Sequence, residues 1–484
     1  MAAALPATRL LGQTTPKVLR QRRIGEKRKL LFLNEAPQEY GKLIESLKSI
    51  QEIDLLPVAA ANFRTPQEII KSIKSQDPDI IVMSLPSLGM SSGPMADALD
   101  KLDIPIILLP RNLDLIMVEA DLAGALRMKG VNALLANSEA RTIELVKIVA
   151  SPGILEGKKA LIFGRPFDST SVPAHNLNEE YIYDLTGLRL QYRPMEELQA
   201  EYNKISEASA QKEMERWKKG AAKVVEATDK SILDASRLYM LLRSIVDKEG
   251  LAGISIDCLN FSFNRNRTIA TPCLAFTRLR DDGVAAPCEA DVCGMLSSIL
   301  LQEISRKPSY FYNISGVNSQ NSNIVLRHCV APLKLLGRDK PELKYNLRDY
   351  HGMGGASPEV SFPTGIDVTM GGFTKDLKDF VLWPGRTQPQ VMDTHRPSFP
   401  NAKGEVLKMR MFCSNRAEVK IRDVDRFIQN IADIHHTMIA GNYANALRDE
   451  MLRLNVGVIG PFNPEIPELA KSPSAPGTKA KQNS

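Results

Sequence analysis

Two short runs in the first quarter of the chain are apolar through their whole centre: residues 79–84 (DIIVMS) and 104–109 (IPIILL). A strand with one wet face alternates apolar and polar side chains. A run that is apolar at both parities must be covered on both faces, which is the pattern of a parallel sheet between helices. Residues 29–33 (KLLFL) open the same kind of element, and residues 159–164 (KALIFG) and 251–259 repeat it later. Between these runs the apolar spacing turns helical, over residues 40–50, 66–75, 118–128 and 138–150, and Thr65 with Glu68 makes a capping box before the second of them. Strand-forming runs alternating with helices predict an α/β chain whose first domain, residues 29–155, is doubly wound.

A turn over residues 151–157 marks the boundary to a second α/β domain, residues 156–335, in which residues 206–249 are helical with a break at Thr228. After Leu336 the runs become short and alternating, as at residues 360–362, 367–370, 380–383 and 406–421. That predicts antiparallel strands and a β-rich, barrel-like C-terminal domain, residues 336–471. Residues 1–28 form a basic arm with Glu26 as its single acid, and residues 472–484 are a Ser/Pro/Lys/Gly tail expected to be disordered.

Composition then removes several classes of function. With 62 basic against 56 acidic side chains, the net charge of +6 describes a mixed surface and does not imply nucleic-acid binding. No apolar run reaches the roughly 18–20 residues of a bilayer span, so no membrane association is expected. The 6 cysteines, at 258, 273, 288, 293, 329 and 413, include no Cys-x-x-Cys pair and follow no signal peptide; they are expected as reduced, mostly buried thiols of a cytoplasmic protein. The loop after a predicted strand at residues 85–94 lacks the Gly-x-Gly-x-x-Gly order of a dinucleotide site, which disfavours an oxidoreductase of that type, and residues 165–176 form a second polar loop.

Chemistry concentrates in residues 287–329 (PCEADVCGMLSSILLQEISRKPSYFYNISGVNSQNSNIVLRHC). Helical spacing from Ala290 to Ser305 puts Glu289 beside a helix start. Two strand candidates follow, residues 309–314 and 324–326, with a polar loop over 316–323 between them and His328 directly after the second. Polar residues that follow buried strands belong where α/β proteins place ligands. The plain alternative is that Glu289 and Asp291 are solvated carboxylates and His328 a satisfied core histidine. Farther on, residues 433–452 (DIHHTMIAGNYANALRDEML) are expected as helix. Neighbours on a helix point about 100° apart, so at most one of His435 and His436 would reach a given site.

Three of these segments resemble the L-fucose isomerase and L-arabinose isomerase superfamily. PCEADVCG (287–294), with CLAFTRLRDDG upstream, is similar to its glutamate motif. VLRHC (325–329) is similar to its strand ending in histidine, and IHHTMIAGNY (434–443) to its C-terminal double-histidine segment. The resemblance implies two doubly wound α/β domains followed by a β-rich one, and a homo-oligomer. It also implies conversion of an aldose to a ketose through an enediol, with a divalent metal, commonly Mn2+, held by carboxylates and histidine. By position, Glu289 corresponds to the glutamate that is both ligand and acid/base, His436 to the C-terminal ligand with His435 as the substitute, and His328 to a histidine ligand of the arabinose branch.

One position departs from that pattern. Where the family has a second acid in the aromatic strand, this chain has Tyr312 and Asn313. An asparagine oxygen can face a metal, but the amide cannot take up a proton at neutral pH. Either the second acid/base comes from elsewhere, with Asp291, Asp257 and Asp367 as candidates, or a water moves the proton, or the chain is a carbohydrate-binding or regulatory protein on the same scaffold.

Overall fold

The computed structural model describes residues 26–60, 65–84, 92–102, 104–111, 116–167, 178–262, 268–349, 352, 354–389, 398–400, 406–408 and 415–461. The C-terminal tail and most of the basic arm lie outside these residues, as do most of the two polar loops expected after strands.

The first sheet contains β1 (Arg28–Asn34), β2 (Ile53–Leu55), β3 (Ala59–Ala60), β4 (Ile80–Met83), β5 (Ile106–Leu108) and β6 (Ala133–Leu135). Its order is β2-β1-β4-β5-β6 with β3 also on β1, and every pairing is parallel. The apolar runs that predicted it are covered on both sides: Ile81 and Met83 pack into one core, and Ile80 and Val82 into the other. The capping box forms as expected, with Thr65 Oγ1 accepting from the Glu68 N–H and the Glu68 carboxylate accepting from the Thr65 N–H.

The second sheet is parallel and smaller, with β7 (Lys159–Phe163) between β8 (Arg189–Arg193) and β10 (Gly253–Ile256). Between its strands, helices Glu207–Gly220 and Asp229–Glu249 flank the two-residue strand β9 (Lys223–Val224), and Thr228 caps the second helix. β9 joins β13 (Tyr345–Arg348) and β14 (Ser357–Val360) in a separate small sheet.

The third sheet is mixed and β-rich. β11 (Tyr310–Asn318), β12 (Asn323–His328), β15 (Asp367–Phe373), β16 (Asp379–Gln388), β19 (Asn415–Ile421) and β20 (His435–Ala440) pair antiparallel in the order β15-β20-β11-β12-β19-β16. Because β15 also pairs with β16, these strands form a closed cycle, and β21 (Gly457–Ile459) adds in parallel to β16. β17 (Ser398–Pro400) and β18 (Val406–Lys408) make a hairpin of their own.

Two expectations are corrected here. The loop expected over 316–323 is shorter, because β11 continues to Asn318 and absorbs Gly316 through an irregularity between Ile314 and Gly316. The helix expected to carry His435 and His436 does not form. A helix over Val424–Gln429 ends first, His435–Ala440 is strand β20, and helix Ala444–Leu454 starts only after Gly441 at φ +113°. The β-branched Thr437 and Ile439 suit a strand held between β11 and β15, and pairing on both edges overrides the helical spacing carried back from residues 444–454.

Strand alternation divides the cycle cleanly. Tyr310, Tyr312 and Met438 point into one core with Trp383 and Val419, whereas Phe311 and Ile439 belong to the cores shared with the second sheet and its helices. Helix Val292–Ser305 lies against that second face, with Ser298 hydrogen-bonded to Thr437 at 3.2 Å.

Candidate metal centre

Glu289 is placed by a strained loop at the start of helix Val292–Ser305. Glu289 and Ala290 take φ +66° and +55°, a left-handed pair without glycine. Such a conformation costs of order 1–3 kcal/mol per residue and persists only when its surroundings fix it. They do so here: the Ser255 hydroxyl donates to the Pro287 carbonyl at 2.7 Å and accepts from the Ala290 N–H at 3.1 Å. Cys258 Sγ accepts from the Glu289 N–H at 3.4 Å, and the Ala290 carbonyl accepts from the Phe167 N–H at 3.3 Å. Ser255 lies on β10 and Phe167 follows β7, so the loop is anchored at the carboxyl ends of the second sheet, where open α/β sheets keep their ligand crevice.

Two histidines from the third sheet meet the carboxylate. His328 Nε2 is 3.6 Å from Glu289 Oε1, and His435 Nε2 is 3.6 Å from Oε2. One donor atom from each of the three residues lies within 4.8 Å of the others, a spacing that one ion can bridge. The histidines are 0% and 4% exposed, so water does not compete for their rings. Phe311 packs against both rings, with centroids 5.0 Å from His328 and 4.5 Å from His435, the two imidazoles are 5.7 Å apart, and Phe167 covers His435 at 5.2 Å.

Asp291 completes the arrangement from behind. Its Oδ1 caps the helix by accepting from the Gly294 N–H at 2.6 Å, and its Oδ2 accepts from His435 Nδ1 at 2.7 Å. A carboxylate can only accept, so Nδ1 carries a proton, and whenever the ring is neutral its Nε2 lone pair is the one turned to Glu289. This is the carboxylate–histidine support that orients metal ligands. Burial pushes His435 down, but the Asp291 hydrogen bond and the two nearby carboxylates outweigh it and raise its pKa above the ordinary histidine value. Burial pushes Glu289 up, yet His328 and His435 outweigh it and hold the carboxyl below the ordinary glutamate range. A charged carboxylate beside imidazole is a donor set for a borderline divalent ion.

The remaining predicted residues separate. His436, the first choice for the C-terminal ligand, points to the other face of β20, where it lies over Tyr312 and its Nε2 accepts from the Ala432 N–H at 3.4 Å. Burial, then the charge of His435, push its pKa down to about 3. Asn313 stands directly opposite His435 in the β11–β20 register, on the same face. Asp257, just past the end of β10, accepts from the Arg165 N–H and the Asn260 amide, one residue from the thiol that holds Glu289. Asp367 is exposed and pairs with Arg386 at 3.6 Å, away from the cluster. A cavity of about 450 Å³ lined by Thr228, Asp234, Arg237 and Thr271 includes none of the cluster residues.

Sequence reasoning passed over Cys288 and Cys329, each adjacent to a predicted ligand. With His328 they form a second buried group whose donor atoms lie within 4.8 Å of one another. Their position beside Glu289 and His328 was the available signal.

No family model matches the chain, and no curated protein matches it. Among solved structures, it is similar to the signal receiver domain of the response regulator NarL from Mycobacterium tuberculosis, at 17% identity and TM-score 0.21, over 26% of this chain and 97% of that one.

Proposed function

We propose that the chain is a metal-dependent aldose–ketose isomerase-like protein that acts on a monosaccharide through an enediol. The observation that carries this is the convergence of Glu289, His328 and His435, from three separate segments, on one buried point. The donor set of one carboxylate and two imidazoles fits Mn2+ or a similar divalent ion and leaves coordination positions for substrate oxygens. In the same reading the chain comprises two doubly wound α/β domains and a barrel-like C-terminal domain, and works in the cytoplasm as a homo-oligomer. Among the described residues no helix is long and apolar enough to cross a membrane.

When bound, such an ion supplies Lewis acidity toward the carbonyl and the neighbouring hydroxyl of an open-chain sugar. The protein's own groups do the rest. Glu289, kept ionised by the two histidines, takes the proton from the carbon beside the carbonyl and returns it to the other carbon, while the hydroxyl proton passes from one oxygen to the other. Asp291 fixes the His435 ring, and Phe311 and Phe167 keep bulk water from its faces. Asn313 offers an amide to a sugar hydroxyl and moves no proton.

Purified protein loaded with Mn2+ and incubated with a panel of aldoses in D2O should yield ketose carrying solvent deuterium. Absence of both turnover and exchange with every sugar would count against the isomerase reading. A second reading, sugar binding without turnover, is favoured by Asn313 standing opposite His435 where an acid would complete the chemistry. It predicts saturable sugar binding by the wild type and activity only after Asn313→Asp.

A further inference from the structure

Beside the Glu289 group lies a set of softer donors. Cys288 precedes Glu289, Cys329 follows His328, and their sulfurs and a ring nitrogen of His328 lie within 4.8 Å of one another. Cys288 and Cys329 are 1% and 7% exposed. The third thiol beside them, Cys258, accepts from the Glu289 N–H at 3.4 Å. Arg280 is buried in the same region at 1% exposure, and all of its hydrogen bonds go to backbone carbonyls: Ala286, two residues before Cys288, and Val330, next to Cys329. Among the described residues its charge therefore has no carboxylate as a hydrogen-bond partner, and Asp281, its neighbour in sequence, acts on it through space alone.

We propose that Cys288, Cys329 and His328 form a second metal site, specific for a soft monovalent ion, with Cu(I) as its ligand. Thiolates select soft ions. Charge selects among them: two S–H bonds break, two protons leave and two S–Cu bonds form, giving a bis-thiolate of charge −1 that neutralises Arg280. A divalent ion in the same place would give a neutral complex and add nothing to the counter-charge that Asp281 supplies to the buried guanidinium. His328 couples this site to the first one. Its Nε2 faces Glu289 at 3.6 Å and its Nδ1 faces Cys329 Sγ at 3.4 Å. A neutral imidazole has one lone pair, so it serves the carboxylate–histidine set or the thiol set, and occupation of one weakens the other. This coupling clause alone rests on the metal reading of Glu289.

The test is anaerobic titration of the full chain with Cu(I) against a chromogenic Cu(I) chelator. One equivalent should bind to the wild type and to Glu289→Gln. Cys288→Ser and Cys329→Ser should lose at least about 100-fold, above the range for loss of a supporting contact alone. Equal binding by the cysteine variants, loss in Glu289→Gln matching theirs, or preference for Zn2+ over Cu(I) at this site would overturn the proposal. X-ray absorption of the copper-loaded wild type avoids any variant that misfolds: two sulfurs and one nitrogen are expected, and a shell without sulfur refutes the site. Free Mn2+, read by electron paramagnetic resonance, should rise when one equivalent of Cu(I) is added to Mn2+-loaded protein, and simultaneous full occupancy would overturn the coupling. Protein that binds Cu(I) as described but never Mn2+ refutes the Glu289 metal reading and leaves the thiol site standing.

Discussion

Asp291→Asn isolates the support of His435 from the cap of the helix. Asp291 uses one oxygen on the Gly294 N–H at 2.6 Å and the other on His435 Nδ1 at 2.7 Å, with both side chains about 1% exposed. Asparagine keeps one oxygen, and the cap can be met only by an oxygen, so the amide nitrogen is left facing His435. The ring must then present a lone pair at Nδ1 and carry its proton on Nε2, the atom that faces Glu289. The lone pair for the metal is lost without any change of volume. Loss of such an orienting partner weakens metal binding about 10- to 100-fold, or roughly 1.4–2.7 kcal/mol. The fold should lose less, because the cap survives. Asp291→Ala should instead lose both the cap, about 1 kcal/mol, and the partner of a buried ring, about 1–3 kcal/mol. Mn2+ titration by calorimetry, paired with urea unfolding of the metal-free protein, separates the two effects. Asp291→Asn binding Mn2+ within twofold of the wild type would refute the orienting role.

Asn313→Asp should raise Mn2+ affinity about tenfold or more by adding a ligand charge opposite His435, and the same titration reads it. Gly294→Ala would drive a methyl group into Phe311, whose ring packs against both His328 and His435, so unfolding should show a loss of about 1–3 kcal/mol together with weakened Mn2+ binding. Asp281 is buried, and that desolvation lifts its pKa from 3.8 to about 7 even though it accepts from the Lys334 N–H. The unfolded chain therefore gives up this proton first as pH rises. Up to about 4 kcal/mol of stability is present below pH 4 and lost by pH 7, and urea midpoints should flatten over that range in Asp281→Asn. His436 has the opposite sign: its folded pKa of about 3 lies below the unfolded value of 6.5, so stability falls as pH drops through that interval, and His436→Phe should soften the acid limb of the same curve.

The parallel strands were legible because burial on both faces leaves no polar parity, as in residues 79–84 and 104–109. The Thr65 box and the Thr228 break were legible because caps are local chemistry. The β20 segment was not, since nothing within residues 433–440 announces that β11 and β15 will flank it, and helical spacing in the following residues reaches the same positions. For the same reason the face of each histidine was hidden: on a helix the two rings diverge by about 100°, whereas on a strand they oppose each other. Glu289 and His328 stood out by type and position. Cys288 and Cys329 did not, because 40 intervening residues fold back between them, and only the sheet brings the ends of that excursion together.

The adjacent histidines of β20 give the chain a sensitivity to counting. His435 serves the Glu289 cluster and His436 fills the opposite core only while the register Tyr312↔His436 and Asn313↔His435 holds. Slipping β20 by a single residue would exchange the two rings. The resulting protein would still present one imidazole on each side, but Asp291 would meet a ring at a different height and Tyr312 would lose its stacking partner. A one-residue insertion or deletion between Asn430 and His435 would therefore act less as a local defect than as a swap of two interchangeable parts, leaving the residues of β20 unchanged and the address of each side chain reversed.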